Sequence, residues 1–139
     1  MPVAELFAGY RKTVLARHEL ITAVEIPLPV PPQVAFYKMA KRRVNDISTV
    51  TAAIALTCDA DGRVSSARFC FGGVAATPVR VVAAENVVVG RPWDADAVAR
   101  VQTVLGQTLT PMTDHRGSRE YRLEVVQALV AKFAWEQRR

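Results

Sequence analysis

Residues 47–73, ISTVTAAIALTCDADGRVSSARFCFGG, contain two apolar runs with a short polar segment between them. The first run, 47–58, is rich in β-branched residues, which favour β-strands. The polar segment 59–62 ends in a glycine, which can adopt the positive φ that tight hairpin turns require. The second run, 64–71, brings the chain back and stops at a pair of glycines. The stretch therefore predicts an antiparallel β-hairpin.

Two further strands are predicted on the amino-terminal side of this hairpin. Residues 34–40 form a short apolar run, and residues 20–28 alternate between apolar and polar with the period of two that is typical of a strand. Prolines at positions 27, 29, 31 and 32 end the earlier strand, because proline lacks the N–H that a ladder needs. Residues 4–10 are short and amphipathic, which predicts a turn of helix or a coil.

The carboxyl-terminal half predicts three helices. Thr77-Pro78 has the cap residue and the first-turn proline of a helix start, and Gly90 would end that helix. Asp94 is the predicted cap of a second helix, which Gly106 would end. Ser118 is the predicted cap of the third, and the apolar stripe of that helix consists of Tyr121, Val125, Ala128, Leu129 and Phe133.

The order of the elements, strands followed by helices, predicts the fold class. We expect an α+β fold in which an antiparallel sheet of three or four strands is covered on one face by about three helices. At 139 residues the chain has the length of a single domain, 1–139. Half of its residues are apolar, which is sufficient for one core.

Charge and composition narrow the functional classes. The net charge of +5 is moderate, and no basic patch is interleaved with aromatic residues, so we expect no nucleic-acid partner. No apolar stretch approaches the ~20 residues of a membrane span, and no signal-peptide pattern is expected at the start. We therefore expect a cytoplasmic protein with no membrane partner.

Candidate catalytic and metal-binding residues are few. Cys58 and Cys70, with only His18 and His115 to join them, lack the spacing of a zinc site, and both cysteines are interpreted as buried free thiols. The sequence has no Ser-His-Asp spacing, no nucleophile elbow and no glycine-rich phosphate loop. We expect no catalytic residue and no metal ligand in this chain.

Residues 36–48, FYKMAKRRVNDIS, join a predicted strand to the hairpin through the cationic run Lys41-Arg42-Arg43. Guanidinium and ammonium groups recognise anions as charge-assisted donors, so this turn could hold an anionic ligand. The alternative is a solvated loop, because adjacent cations repel one another and prefer water. The residues themselves leave both interpretations open.

Five blocks of sequence together resemble a known family. Besides residues 36–48 they are GYRKTVLA (9–16), ITAVEIPLP (21–29), FGGVA (71–75) and DHRGSREYR (114–122). In this order they resemble the C-terminal domain of the FAD-carrying part of molybdenum hydroxylases. The similarity is closer to xanthine dehydrogenases than to the flavoprotein subunit of carbon monoxide dehydrogenases, and it covers nearly the whole chain.

The resemblance implies a set of FAD-binding residues. In the family, the lysine matching Lys38 borders the isoalloxazine, and the apolar residue matching Ile21 packs against it. The loop matching 39–46, with Arg43, Asn45 and Asp46, lies beside the ring, where its charges tune the flavin. Tyr10, with its neighbour Arg11, is expected to line the flavin and nicotinamide side. Animal enzymes carry consecutive acidic residues where this chain has Val44-Asn45-Asp46, so their charge switch is not expected here.

The resemblance also implies partners and a function. The family's upstream FAD-binding domain, its iron–sulfur domain and its molybdenum-cofactor subunit match nothing in these residues, so all three are expected partners. We expect the domain to cover the isoalloxazine of an oxidoreductase that passes electrons from iron–sulfur clusters through FAD to NAD. Alone, the chain is expected neither to catalyse a reaction nor to retain FAD, and its exposed interface could self-associate. The alternatives are an interaction or scaffold domain without flavin, or a small basic nucleotide-binding module.

Overall fold

A four-stranded antiparallel sheet packed against helices forms the centre of the computed structural model, which describes residues 1–137. The elements in chain order are a 3-10 turn (Val3–Glu5), β1 (Phe7–Gly9), β2 (Lys12–Thr13), β3 (Gln33–Met39), β4 (Val50–Cys58), β5 (Val64–Gly72), β6 (Val79–Arg80), α1 (Val82–Asn86), α2 (Ala95–Thr108) and α3 (Arg119–Glu136). The large sheet has the order β3-β4-β5-β6, and β1 pairs with β2 separately. Both the α+β class and the antiparallel sheet are confirmed.

The central hairpin forms as the sequence predicts. β4 and β5 pair in antiparallel register from Thr51 opposite Gly72 to Cys58 opposite Val64. Gly62 has a φ of +75°, and the Asp59 side chain accepts hydrogen bonds from the backbone N–H groups of Asp61 and Arg63. The turn is therefore closed by its own aspartate, with glycine at the position that needs a positive φ.

One face of the sheet is the core and the other is open. Along β4 every second residue from Val50 to Leu56 is completely buried, and the helices cover that face. The largest buried side chains there are Phe69, Phe71, Phe133, Ile54, Leu56 and Leu105. Trp93 lies between Phe69 and Phe133, with its ring centroid 6.2 Å from each. None of the helices described within 1–137 is long and apolar enough to cross a bilayer.

The helix start predicted at Thr77-Pro78 is wrong. Val79–Arg80 form the short strand β6, and the N–H of Val81 still donates to the carbonyl of Phe69 (2.8 Å) before α1 begins. The buried carboxylate of Glu85 then accepts hydrogen bonds from Nε and Nη2 of Arg80 (2.8 and 2.7 Å). Pairing with the sheet edge outweighs the local helix-start signal here.

The two later helices begin where predicted but differ in detail. Asp94 caps α2 and Ser118 caps α3, each accepting from the N–H three residues on. Gly106 does not end α2, which continues to Thr108, since one glycine costs a helix only about 1 kcal/mol. In α3, Tyr121 and Ala128 are exposed, and the buried stripe consists of Arg122, Val125, Val126, Leu129, Val130, Phe133 and Ala134.

The amino-terminal region departs most from expectation. Residues 20–28 do not form the predicted strand, and the large sheet ends at β3 without including them. Residues 4–10 contain the end of a 3-10 turn, as predicted, and also the unexpected strand β1. Every residue from 16 to 30 is exposed, so this region contributes nothing to the core.

Candidate functional site

The turn between β3 and β4 is organised by Asp46. Its carboxylate accepts hydrogen bonds from the N–H of Arg42 and the N–H of Ile47, both at 2.9 Å. The hydrogen bond from Arg42 is the largest cause that holds the pKa of Asp46 below its ordinary value. Asn45 supports the turn with a φ of +52°, a conformation that asparagine tolerates better than most residues. The carboxylate is therefore used within the turn rather than presented to a ligand.

The cations of this turn have different environments. Lys38, at the end of β3, donates from Nζ to the carbonyl of Asp46 (2.7 Å), which brings these two predicted site residues together. Arg42 donates to the carbonyl of Asn45 (2.9 Å). Arg43 is exposed and has no hydrogen bond or ion pair with any residue in 1–137. Arg43 is therefore free to meet a ligand or another protein surface.

Lys41 links this turn to a second one. Its ammonium group donates to the carbonyl of His115, within the turn 114–117 that precedes α3. Asp114 closes that turn by accepting from the N–H of Arg116 (2.8 Å) and the N–H of Gly117 (3.3 Å). The bond from Arg116 and then the side chain of Arg122 lower the pKa of Asp114 to about 2. Asp114 is therefore ionised near neutral pH, so it cannot serve as a general acid and is only a weak base.

Arg122 connects this part of the molecule to the core. Its buried guanidinium donates to the carbonyls of Thr49 and Gly73 and, at 2.6 Å, to the carboxylate of Asp114. Gly73 has a φ of +79°, and a Cβ added there would lie 2.2 Å from the carbonyl oxygen of Thr49. Arg122 thus joins α3, the start of β4 and the end of β5. Sequence reasoning missed it, although it lies three and four residues before the buried Val125 and Val126.

A cavity of about 470 Å³ opens beside these groups. Its wall includes Tyr10 and Arg11 from the amino-terminal hairpin, Ile47 from the basic turn, and Gly72-Gly73 from the end of β5. The guanidinium of Arg11 lies 5.4 Å from the centre of the Tyr10 ring, an arrangement that a cation–π attraction favours. The structure therefore brings Tyr10 and the end of the basic turn to one cavity.

Lys38 lies near this cavity without lining it. It is opposite Thr51 in the sheet, and Thr51 is opposite Gly72, which does line the cavity. Two strand spacings separate Lys38 from Gly72, which is about 10 Å. Arg43, Asn45 and Asp46 belong to the same turn as Ile47 but are not part of the cavity wall.

Ile21 is the site residue that the structure does not bring to the others. It is 52% exposed in the unpaired segment 20–28 and does not line the cavity. Cys58 and Cys70 are half-buried free thiols, and burial raises the pKa of each. Among residues 1–137, no three His, Cys, Asp or Glu side chains are grouped as metal ligands.

The geometry suits the binding of a planar or anionic group better than acid–base chemistry. The cavity wall offers the ring of Tyr10, the side chain of Ile47 and the exposed cation of Arg11, while Arg116 is paired with Asp114 (3.4 Å). The buried carboxylate of Glu85, which burial alone would make harder to ionise, has its pKa lowered by Arg80 and the N–H of Phe69. The carboxylates of Asp114 and Glu85 are therefore both held by hydrogen bonds and ion pairs within the fold.

Comparison with known proteins gives a consistent result. The profile of the CO dehydrogenase flavoprotein C-terminal domain matches residues 35–137. The nicotinate hydroxylase of Emericella nidulans is 35% identical over 96% of this chain and 10% of its own length. The xanthine dehydrogenase FAD-binding subunit of Escherichia coli is 30% identical over 95% of this chain and 46% of its own length.

Solved structures agree. Quinoline 2-oxidoreductase of Pseudomonas putida 86 matches 95% of this chain and 45% of its own chain, with a TM-score of 0.83 and 28% identity. Reconstituted CO dehydrogenase of Oligotropha carboxidovorans matches 92% of this chain and 44% of its own chain, with a TM-score of 0.81 and 29% identity. The chain therefore spans less than half the length of these relatives.

Proposed function

Because this chain belongs to the family of CO dehydrogenase flavoprotein C-terminal domains, we propose that it covers the isoalloxazine of FAD in a xanthine dehydrogenase-type molybdenum hydroxylase. Members of this family are parts of oxidoreductases, among them FAD-binding subunits. The observation that carries the proposal is the cavity where Tyr10 and Arg11 meet Ile47 and the end of β5.

The residues present fit the ring of FAD but not its pyrophosphate. The cavity is large enough for part of a ring system, and the exposed ammonium of Lys38 lies about two strand spacings from its wall. The sequence has no glycine-rich loop whose backbone N–H groups could cradle phosphates. The preceding part of the subunit is thus the proposed holder of the pyrophosphate, and this domain supplies ring contacts.

Each proposed contact has a physical role. Lys38 and Arg43 place positive charge near the ring edge, which favours the negative charge that flavin gains on reduction. Tyr10 offers a ring face, and Ile21 offers an apolar surface once segment 20–28 is placed by the rest of the subunit. Asn45 and Asp46 hold the turn in shape. FAD itself supplies the electron-transfer chemistry.

The proposed partners follow from the same family. They are the preceding FAD-binding domain, an iron–sulfur domain or subunit and a molybdenum-cofactor subunit, assembled in the cytoplasm. NAD is the proposed acceptor, with its nicotinamide approaching on the side of Tyr10 and Arg11. The substrate would be chosen by the molybdenum subunit and not by this domain.

Half-reaction kinetics of the assembled enzyme test the proposal. Lys38→Ala should slow electron transfer onto FAD about tenfold, the effect of about 1.4 kcal/mol on a barrier, and should not slow oxidation of the reduced flavin by NAD, because loss of the cation makes the reduced ring a stronger electron donor. The control is Arg100→Ala, which removes an exposed cation from α2, on the opposite side of the sheet. Equal effects on both half-reactions, or none, would contradict the proposal and favour an interaction domain without flavin.

A further inference from the structure

Residues 20–28 form an exposed apolar segment whose backbone N–H and C=O groups make no hydrogen bonds within the described chain. Their large apolar side chains, Leu20, Ile21, Val24, Ile26 and Leu28, are between 52% and 83% exposed. No hydrogen bond joins residues 20–28 to another residue in 1–137. Single exposed apolar residues are normal on a protein surface, but a contiguous series of them marks an interaction site.

The pattern of this segment is that of a strand. Leu20, Val24, Ile26 and Leu28 alternate with Ile21, Ala23 and Glu25, so one side of an extended chain would be more apolar than the other. Backbone amide and carbonyl groups placed beside apolar surface need hydrogen-bond partners. Residues 20–28 pair with no strand of the large sheet, whose order β3-β4-β5-β6 does not include them.

The strand that follows this segment in the sequence also carries exposed apolar side chains. After the four residues 29–32 the chain enters β3, which is an edge strand of the large sheet. Val34 and Phe36, on the open face of β3, are 61% and 68% exposed. The described residues therefore leave both the segment and the open face of β3 uncovered.

We propose that residues 20–28 pair as a β-strand with the part of the FAD subunit that precedes this domain. In the Escherichia coli FAD-binding subunit, the portion similar to this chain is 46% of the length, and the matching family is a C-terminal domain, so a larger preceding part exists in such relatives. Strand addition supplies the missing hydrogen bonds, and pockets for alternate side chains supply specificity. The inference rests on family membership and is independent of where the flavin ring lies.

Hydrogen exchange of the isolated chain and of the intact FAD subunit carrying this domain tests the proposal. In the isolated chain, the amides of 20–26 should exchange at the rate of unstructured peptide. In the intact subunit, alternate amides should be protected about 100-fold or more, because a strand paired along one edge uses every second N–H. Flavin content is not part of the readout, so failure here is distinguishable from failure of the proposed function.

Two matched variants sharpen the result. Val24→Lys should reduce the protection in the intact subunit at least about tenfold, because it places a charge against apolar surface, while Glu25→Lys on the other side should change it less than about twofold. Both residues are exposed in the isolated chain, so neither variant should alter its thermal midpoint. Fast exchange in the intact subunit would overturn the proposal. So would concentration-dependent protection in the isolated chain, which would assign the strand to a second copy.

Discussion

The two faces of the large sheet differ in how far their side chains are buried by the rest of the chain. On the helix-covered face, Ile54 and Phe69 are fully buried, and neighbouring side chains fill the space around them. On the open face, Phe36 is 68% exposed, although it belongs to a strand in the same sheet. The first face is completed by residues within this chain. The second face and the unpaired segment 20–28 are left uncovered by the described residues.

Because of this difference, the residues that stabilise the fold are not the residues proposed to make functional contacts. The residues that hold the fold together lie between the sheet and the helices, while the proposed contact residues lie on the open face or in the turns around it. Lys38, Arg43 and Ile21 are all exposed and contribute little to the core. Substitutions on the two faces should therefore have different consequences.

Two phenylalanines provide the sharpest test of that difference. Phe69→Ala should lower the free energy of unfolding by about 4 kcal/mol, because it leaves a cavity beside Trp93 and Phe133. Phe36→Ala should lower it by less than about 0.5 kcal/mol in the isolated chain. Urea denaturation of both variants checks this. Similar losses for the two variants would show that the open face is packed in solution.

Two arginines on α3, one buried and one exposed, test the role of Arg122. Arg122→Ala should lower the free energy of unfolding by about 3 kcal/mol. The substitution leaves the carboxylate of Asp114 and the carbonyls of Thr49 and Gly73 without their hydrogen-bond donor. The matched control, Arg119→Ala, removes an exposed cation from the same helix and should be nearly neutral. Denaturation midpoints of the two variants report the result, and a neutral Arg122→Ala would contradict the assigned role.

The pH dependence of stability should show a smaller contribution from Asp114. Its pKa is lowered from 3.8 to about 2 in the folded chain, so its contribution is present above pH 4 and is lost as the pH falls towards 2. Asp114→Asn should be less stable than the natural chain above pH 4 and should lose less further stability between pH 4 and 2. Thermal midpoints across this range measure it. Parallel curves for both proteins would contradict the shift.

Local sequence patterns predicted the central hairpin and two helix caps correctly because the determinants of these features are local. The β4–β5 hairpin follows from a glycine turn between apolar runs, and the caps Asp94 and Ser118 follow from side chains that bond within their own first turn. The start of α1 was missed because Val79–Arg80 pair with β5, a contact that local propensity cannot reveal.

The site was less predictable than the fold, for a physical reason. The turn and its link from Lys38 to Asp46 involve residues close in sequence, and the family resemblance pointed to them. Arg122 reaches Thr49 across 73 positions, so no local pattern indicates that contact. Ile21 and its segment alternate as a strand should, but no residue in 1–137 pairs with them.

The flavin midpoint potential of the assembled subunit tests most directly whether the turn 38–47 lies beside the ring. Asn45→Asp adds a negative charge, and aspartate also tolerates the positive φ of this position, so the turn should keep its shape. We expect the potential to fall by about 30 mV, the shift that about 1.4 kcal/mol produces for a two-electron couple. Gln107→Glu, which adds the same charge on α2, should leave it unchanged. An unchanged potential in Asn45→Asp would show that the turn is a solvated surface that never approaches the flavin.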